Sequence, residues 1–257
     1  MTAGRIRALC HRQTGIGAHG ILVRTDFPPA SAGGQGGVIA DHRMLLFNAD
    51  GSAAEISGNG LRCFVLFLRE RGYSVDRELS VETGGGLQRA RLISENIVET
   101  TMPSPAFPPA LAGGLGGVEV TVKDQTFSVI PVNVGNPHGV IFGPERDILF
   151  AETYGPPLEK HPAFPEGANI EFVHVIDDRS CQFVVWERGA GITLACGSGS
   201  VAVACAGAAM GHFVFDQPIA VHQPGGTLEV TVGKNFSEIR QRGPATFVFR
   251  GEIEMSN

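Results

Sequence analysis

Apolar positions along the chain change period several times, and each change marks an element. Residues 21–24 and 44–47 carry the aliphatic and aromatic content of strands. The low-complexity stretch between them, 27–37, is expected to be a mobile loop. From Gly58 the period becomes helical: Leu61, Phe64, Val65 and Leu68 fall at i, i+3, i+4 and i+7, with Arg69, Glu70 and Arg71 outside that face. Gly72 then supplies a left-handed helix stop. A Pro/Gly-rich stretch from Pro103 to Gly117 is the expected boundary between two halves. Beyond it, residues 118–122, 127–134 and 170–175 read as strands, and Asp177-Asp178-Arg179-Ser180 reads as a turn into a strand over 181–186. Residues 199–210 form a helix that is apolar on every face, which places it in the middle of the molecule.

The two helical runs open alike. Ser57-Gly58-Asn59-Gly60 starts a run closed by Gly72, and Cys196-Gly197-Ser198-Gly199 starts one of the same length closed by Gly211. The match extends upstream to Asn48-Ala49-Asp50-Gly51 and Glu187-Arg188-Gly189-Ala190, each nine residues ahead of its small residue. Gly85-Gly86-Leu87 is echoed by Gly225-Gly226-Thr227-Leu228. A chain of two such halves presents two matched groups to one substrate from opposite sides, an arrangement suited to moving a proton across a stereocentre. One group is a thiol and the other a hydroxyl.

Composition narrows the partners. A net charge of −6 without a basic run leaves no electrostatic footprint for nucleic acid or an anionic membrane, so a small-molecule substrate is expected. No apolar stretch approaches the ~20 residues of a membrane span. The first 17 residues lack a signal-peptide pattern, and five cysteines without Cys-x-x-Cys spacing read as free thiols in a reducing, cytoplasmic compartment rather than as disulfides or a zinc site. No metal is expected. Lys123, Lys160 and Lys234 sit in strand-edge or turn contexts and offer pyridoxal phosphate no anchor, so the chemistry is expected to be cofactor-free.

Helix N-termini leave backbone N–H groups unpaired and carry partial positive charge, which makes both Gly-x-Gly turns candidate carboxylate cradles. The same field is expected to lower the pKa of Cys196 and make it a thiolate base. Cys10, Cys63, Cys181 and Cys205 read as core residues. Gly15-Ile16-Gly17-Ala18-His19-Gly20 spells a dinucleotide fingerprint, but it precedes a strand instead of following one and is a decoy. Asn136 and Asn169 lie in loops where an amide either fixes a turn or meets a zwitterionic ligand. His138 and Glu187 are candidates for adjusting the thiol, and Arg188 is either a carboxylate clamp or the partner of Glu187 in an ion pair.

Six ordered motifs carry a resemblance: Asn48-Ala49-Asp50-Gly51-Ser52, Ser57-Gly58-Asn59-Gly60-x-Arg62-Cys63, Gly135-Asn136-Pro137-His138, Phe164-Pro165-Glu166-Gly167-x-Asn169, Glu187-Arg188-Gly189-Ala190-Gly191 and Ala195-Cys196-Gly197-Ser198-Gly199. Together they resemble the diaminopimelate epimerases over nearly the whole chain. The resemblance implies an α+β fold of two pseudo-symmetric domains, each a mostly antiparallel sheet around a central helix, with the active site in the cleft between them. Residues 1–103 with 243–257 would form one half and 104–242 the other. It implies a usually homodimeric isomerase that interconverts LL- and meso-diaminopimelate, on the route to lysine and cell-wall precursors, without metal or pyridoxal phosphate.

Residue by residue, the resemblance puts Cys196 at one catalytic cysteine and Ser57 where the other belongs. His138 and Glu187 match the tuning positions. Asn48, Asn136, Asn169, Glu187 and Arg188, with the amides of Gly58, Asn59, Gly197 and Ser198, match substrate contacts. Three departures stand out. Ser57 replaces a cysteine, His19 stands where Asp is usual, and the family's opening Gly-Asn-Asp-Phe strand has no counterpart, which would leave a sheet edge unpaired. A serine hydroxyl is too weak an acid to serve as an alkoxide near pH 7 without a base, so weakened epimerisation is expected. A one-thiol dehydratase or isomerase of a related acid, or a non-catalytic ligand-binding homologue, is the alternative.

Overall fold

A computed structural model describes residues 1–26, 40–54, 57–108 and 117–253 of the chain. The expected loop at 27–37 and most of the Pro/Gly-rich boundary stretch lie outside the described residues. The chain divides into two compact units, residues 1–100 with 244–257 and residues 101–243.

In the first unit, β1 (Gly20–Thr25), β2 (His42–Asn48), β4 (Leu79–Thr83), β5 (Gly86–Leu92) and β6 (Ile97–Met102) follow one another across a sheet, with the short β3 (Ala53–Ala54) added beside β2. Pairing is antiparallel except between β2 and β4. Among the described residues β1 bonds β2 alone and forms an edge. A helix, α1 (Ala3–Cys10), precedes β1, and no strand leads into the Gly15–Gly20 fingerprint, so its glycines turn out of a helix toward a strand.

The central helix of this unit is α2 (Gly58–Glu70). Leu61, Phe64, Val65 and Leu68 are buried against Met44, Leu79, Val81, Ala90 and Val98, the face that the i, i+3, i+4, i+7 spacing predicts. Gly72 has φ +79°, its N–H bonds the Arg69 carbonyl, and Tyr73 N–H returns to Leu68, closing the helix in a Schellman-type stop. Cys63 corrects an expectation. It faces out of the helix and is exposed, because the 3.6-residue period turns it away from the stripe that Leu61 and Phe64 define.

The second unit is ordered β15 (Ile239–Pro244), β14 (Gly226–Val232), β13 (Pro218–Gln223), β11 (Ser180–Glu187), β10 (Asn169–Asp177), β9 (Pro137–Phe142), β8 (Gln125–Asn133) and β7 (Val118–Val122), with β12 (Gly191–Thr193) beside β11. Only β9/β10 and β11/β13 run parallel among these pairs. Strands β8, β9, β10, β13 and β14 pack against α4 (Gly197–Met210), whose residues from Gly199 to Ala208 are all buried. The apolar run therefore does fill the middle of its unit.

Gly207 makes one tight contact possible. A Cβ there would lie 2.2 Å from two ring carbons of Phe213, whose chain has just turned back through Gly211 at φ +79°. Gly207→Ala is expected to lower stability by roughly 1–3 kcal/mol through overpacking. Urea unfolding checks this, and an unchanged midpoint would contradict the packing described.

One helix is not foreseen by the pattern. α3 (Ile148–Glu159) is capped by Asp147, whose carboxylate accepts the Phe150 N–H at 2.8 Å, and it carries Pro156 and Pro157 inside it. The Gly155-Pro156-Pro157 run reads as a breaker, since proline removes a helical donor. Here the helix is held by packing: Ala151, Tyr154 and Leu158 join a cluster with Phe127, Ile170 and Phe172. Gly155 lets Trp186 lie against it, where a Cβ would come within 2.4 Å of the Trp186 side chain.

Candidate active site

The two Gly-x-Gly turns fold alike in their separate units. Ser57 is the N-cap of α2, extended at φ −151° and ψ 117°, and its Oγ accepts the Gly60 N–H at 3.0 Å. Cys196 is the N-cap of α4 at φ −122° and ψ 112°, and its Sγ accepts the Gly199 N–H at 3.3 Å. Leu61 N–H and Ser200 N–H reach back to the cap carbonyls. Capping accounts for the third and fourth amides of each helix, which leaves those of Gly58, Asn59, Gly197 and Ser198 aimed outward at the positive end of the dipole. Among the described residues they have no protein acceptor.

The second glycine of each turn has a specific steric reason. A Cβ on Gly60 would come 3.3 Å from Ser57 Oγ, and one on Gly199 would come 3.2 Å from Cys196 Sγ and 2.9 Å from Glu171 Oε1. These glycines make room for the capping side chain itself.

Around Cys196 several elements of the second unit converge. Its own N–H donates to Gln223 Oε1 at 2.5 Å, and Gln223 Nε2 donates to Ser200 Oγ at 2.9 Å. Ser198 Oγ lies 3.6 Å from the sulfur. Asn136 Nδ2 donates to that hydroxyl at 3.3 Å, and Asn136 Oδ1 is 2.9 Å from His138 Nε2. His138, which sits in β9 just past the loop, is buried, and its Nδ1 lies 2.6 Å from Glu171 Oε1 on the neighbouring parallel strand β10. Glu171, Gln223 and Ser200 were not singled out in the sequence.

The pKa expected for Cys196 is overturned. Burial pushes the thiol up, and the carboxylates of Glu187 and Glu171 push it further, against the opposing pull of the Ser198 hydroxyl and the Gly199 N–H. The cause is visible in the fold: α4 is enclosed by strands that bring two carboxylates to its first turn, and these outweigh the helix end. These surroundings therefore favour the thiol form of Cys196.

The other expected residues fall as follows. Asn169 spans the ends of β9 and β11, donating to the Pro137 carbonyl at 3.0 Å and accepting the Arg188 N–H at 2.9 Å. Arg188 is exposed, forms no ion pair with Glu187, and rests on the Glu166 carbonyl at 2.9 Å. Glu187 accepts from the Thr193 hydroxyl across the β11/β12 turn. In the first unit, Asn48 Nδ2 donates to Ser52 Oγ at 3.0 Å, closing the turn at Gly51, and Asn59 Oδ1 accepts from Arg62 at 2.6 Å. No group of three or more His, Cys, Asp or Glu side chains suited to a metal ion occurs among the described residues.

Solved structures share this architecture. A phenazine biosynthesis protein of the PhzF family from Bacillus anthracis superposes with a TM-score of 0.69 at 18% identity, over 99% of this chain and 90% of that one. A probable proline racemase from Agrobacterium radiobacter K84 gives 0.71 at 15% identity, over 99% and 81%. The fold is thus the two-domain, pseudo-symmetric α+β architecture of these proteins, with a central helix in each half. The family model for diaminopimelate epimerase matches residues 2–106 and 130–248. The diaminopimelate epimerase of Desulfitobacterium hafniense is 36% identical over 96% of this chain and 86% of its own length, and that of Desulforudis audaxviator is 38% identical over 96% and 87%. The chain belongs to the diaminopimelate epimerase family, a family of isomerases.

Proposed function

We propose that this chain epimerises diaminopimelate at the α-carbon, from LL to meso, in the supply of lysine and cell-wall precursors, using its own side chains without metal or pyridoxal phosphate. The observation that carries this reading is the matched pair of N-caps, Ser57 on α2 and Cys196 on α4, each with two outward-facing amides beside it. Two such groups acting on one carbon from opposite faces are what inversion of a stereocentre needs, and outward amides at two helix ends suit a substrate carboxylate.

Cys196 takes or returns the α-proton on one face. It starts as a thiol, so it becomes a base only when a bound substrate alters its surroundings. The ammonium of an amino acid placed against Glu187 offsets one of the carboxylate charges that hold the thiol protonated. Arg188, held by Glu166 and Asn169, and the amides of Gly197 and Ser198 orient the carboxylate, and Asn48, Gly58 and Asn59 are the further substrate contacts of this reading. On the opposite face Ser57 offers only a hydroxyl. Proton removal at Cys196 is then retained while delivery from the other side is slow, and epimerisation is weakened.

Incubation with LL-, meso- and DD-diaminopimelate in deuterated water tests the reading. Deuterium is expected at the α-carbon that Cys196 faces, detected by mass spectrometry, with little conversion between isomers. No incorporation with any isomer would refute it. The hydroxyl at Ser57 favours a second reading, a one-thiol isomerase or dehydratase of a related acid, which a screen of small amino and hydroxy acids for loss of water or double-bond migration separates from the first.

Five free thiols fit a reducing compartment, no helix is long and apolar enough to cross a membrane among the described residues, and a cytoplasmic homodimer is the proposed setting. Light scattering on the purified chain gives its oligomeric state.

A further inference from the structure

The buried pair His138 and Glu171 has an unusual balance. Both side chains are fully buried, Glu171 Oε1 is 2.6 Å from His138 Nδ1, and Glu171 Oε2 accepts no hydrogen bond. A bare carboxylate in such a place is costly, so the pair is stable when it is neutral overall. Two arrangements achieve that without burying a hydrogen that has no acceptor: imidazolium beside carboxylate, or neutral imidazole accepting at Nδ1 from a protonated Glu171. In both, His138 Nε2 carries a hydrogen. Of the remaining arrangements, Nδ1–H facing a carboxylate with Nε2 bare leaves one uncompensated buried negative charge, and Nδ1–H facing a Glu171 protonated on Oε2 buries that O–H without an acceptor.

This fixes the sense of everything beyond it. With Nε2 as donor, Asn136 Oδ1 at 2.9 Å must accept, so the other end of that amide is Nδ2, which donates to Ser198 Oγ at 3.3 Å. The Ser198 hydroxyl hydrogen is then left free to point at Cys196 Sγ, 3.6 Å away. We propose that Glu171 is a positioning residue for Cys196: by holding His138 as an Nε2–H donor it orients Asn136 and Ser198 so that the Ser198 hydroxyl donates to the sulfur. The inference rests on the reading of Cys196 as the proton-transferring group, and gives that group a donor which favours its thiolate when proton transfer begins. The charged groups acting on the sulfur are Glu187 on β11 and Glu171 on β10, and His138 on β9 faces Glu171.

The proposal is read on Cys196 and His138 directly, with no need of turnover. Iodoacetamide modification of Cys196 at pH 8.5, followed by peptide mass spectrometry, reports the relative thiolate fraction. Ser198→Ala and Glu171→Gln are each expected to slow it roughly fivefold, the effect of about one ordinary hydrogen bond, and the double variant to be no slower than either alone. Glutamine is neutral with either imidazole tautomer, so it no longer dictates the sense of the chain. If Glu171 acts only as a charge repelling the thiolate, Glu171→Gln speeds modification, and that result, or effects that multiply in the double variant, overturns the proposal. A second measurement stands even if the variants fold poorly: nitrogen NMR of the wild-type protein, under the conditions of the modification assay, is expected to show hydrogen on His138 Nε2. A bare Nε2 also overturns it. Absence of α-deuteration in the wild type would defeat the epimerase reading while leaving these outcomes intact.

Discussion

Replacing Ser57 by cysteine is expected to raise diaminopimelate epimerisation by two orders of magnitude or more, since a positioned acid or base of suitable strength contributes roughly 10²–10⁴-fold. The site is already built for a thiol. Ser57 occupies the same cap position as Cys196, with the same extended backbone and the same bond to the third helical residue, and Gly60 leaves the space that Gly199 leaves for sulfur. A thiol differs from a hydroxyl by several orders of magnitude in acidity, so under the proposed two-face scheme Ser57→Cys supplies a group whose strength matches that of Cys196. Adding Cys196→Ala to that variant should remove the gain, because one face then again lacks a partner. The check is a coupled assay for meso-diaminopimelate. A Ser57→Cys protein that folds, binds diaminopimelate and turns over no faster than the wild type would count against the two-face scheme.

A second large effect lies in alkaline stability. Burial alone pushes Cys181 and Cys205 up to about 12, and Cys196 is raised as well. In the unfolded chain these thiols ionise at ordinary values, near 8.5, whereas the folded protein keeps them protonated. The stabilisation is fully present below the unfolded pKa and is lost as pH rises toward the folded one. Between pH 9 and 11 each thiol is expected to take about 1.4 kcal/mol from folding stability per pH unit, so the three together give a slope of about 4 kcal/mol per unit. Urea unfolding at half-unit steps from pH 8 to 10.5 measures the slope. Cys205→Ala costs stability at every pH through the cavity it leaves, but it should flatten the slope by about a third. A slope unchanged from the wild type in both Cys205→Ala and Cys181→Ala would show that the buried thiols do not set it.

Much of this protein is legible along its chain, because its helices announce themselves in different ways. In α2 the stripe of Leu61, Phe64, Val65 and Leu68 specifies one buried face, and in α4 the absence of any polar face specifies full enclosure. Small cap residues and Gly-x-Gly turns mark both starts. α3 is hidden, since Pro156 and Pro157 oppose helix locally and only packing of Tyr154 and Leu158 on β8 and β10 sustains it.

The site divides in the same way. Caps and turns are local, and they are found. The protonation of Cys196 depends on Glu187 and Glu171, which approach from other strands, and sequence proximity to a helix end points in the wrong direction for it. Glu171 sits in an otherwise apolar strand stretch, Ile170-Glu171-Phe172-Val173, where period two sends it to the α4 side of the sheet. One acid among buried apolar neighbours was the available signal.

The chain has a single tryptophan, Trp186, set against Gly155 of α3 with its indole N–H on Glu159 Oε2 at 2.7 Å. Its neighbours all belong to residues 101–243, so intrinsic emission is a private optical readout of that unit. The unit built on α2 carries Tyr73 as its only other ultraviolet fluorophore of note, and its melting would pass almost unseen in a tryptophan trace. Paired fluorescence and far-ultraviolet dichroism curves should therefore coincide only if both halves come apart together.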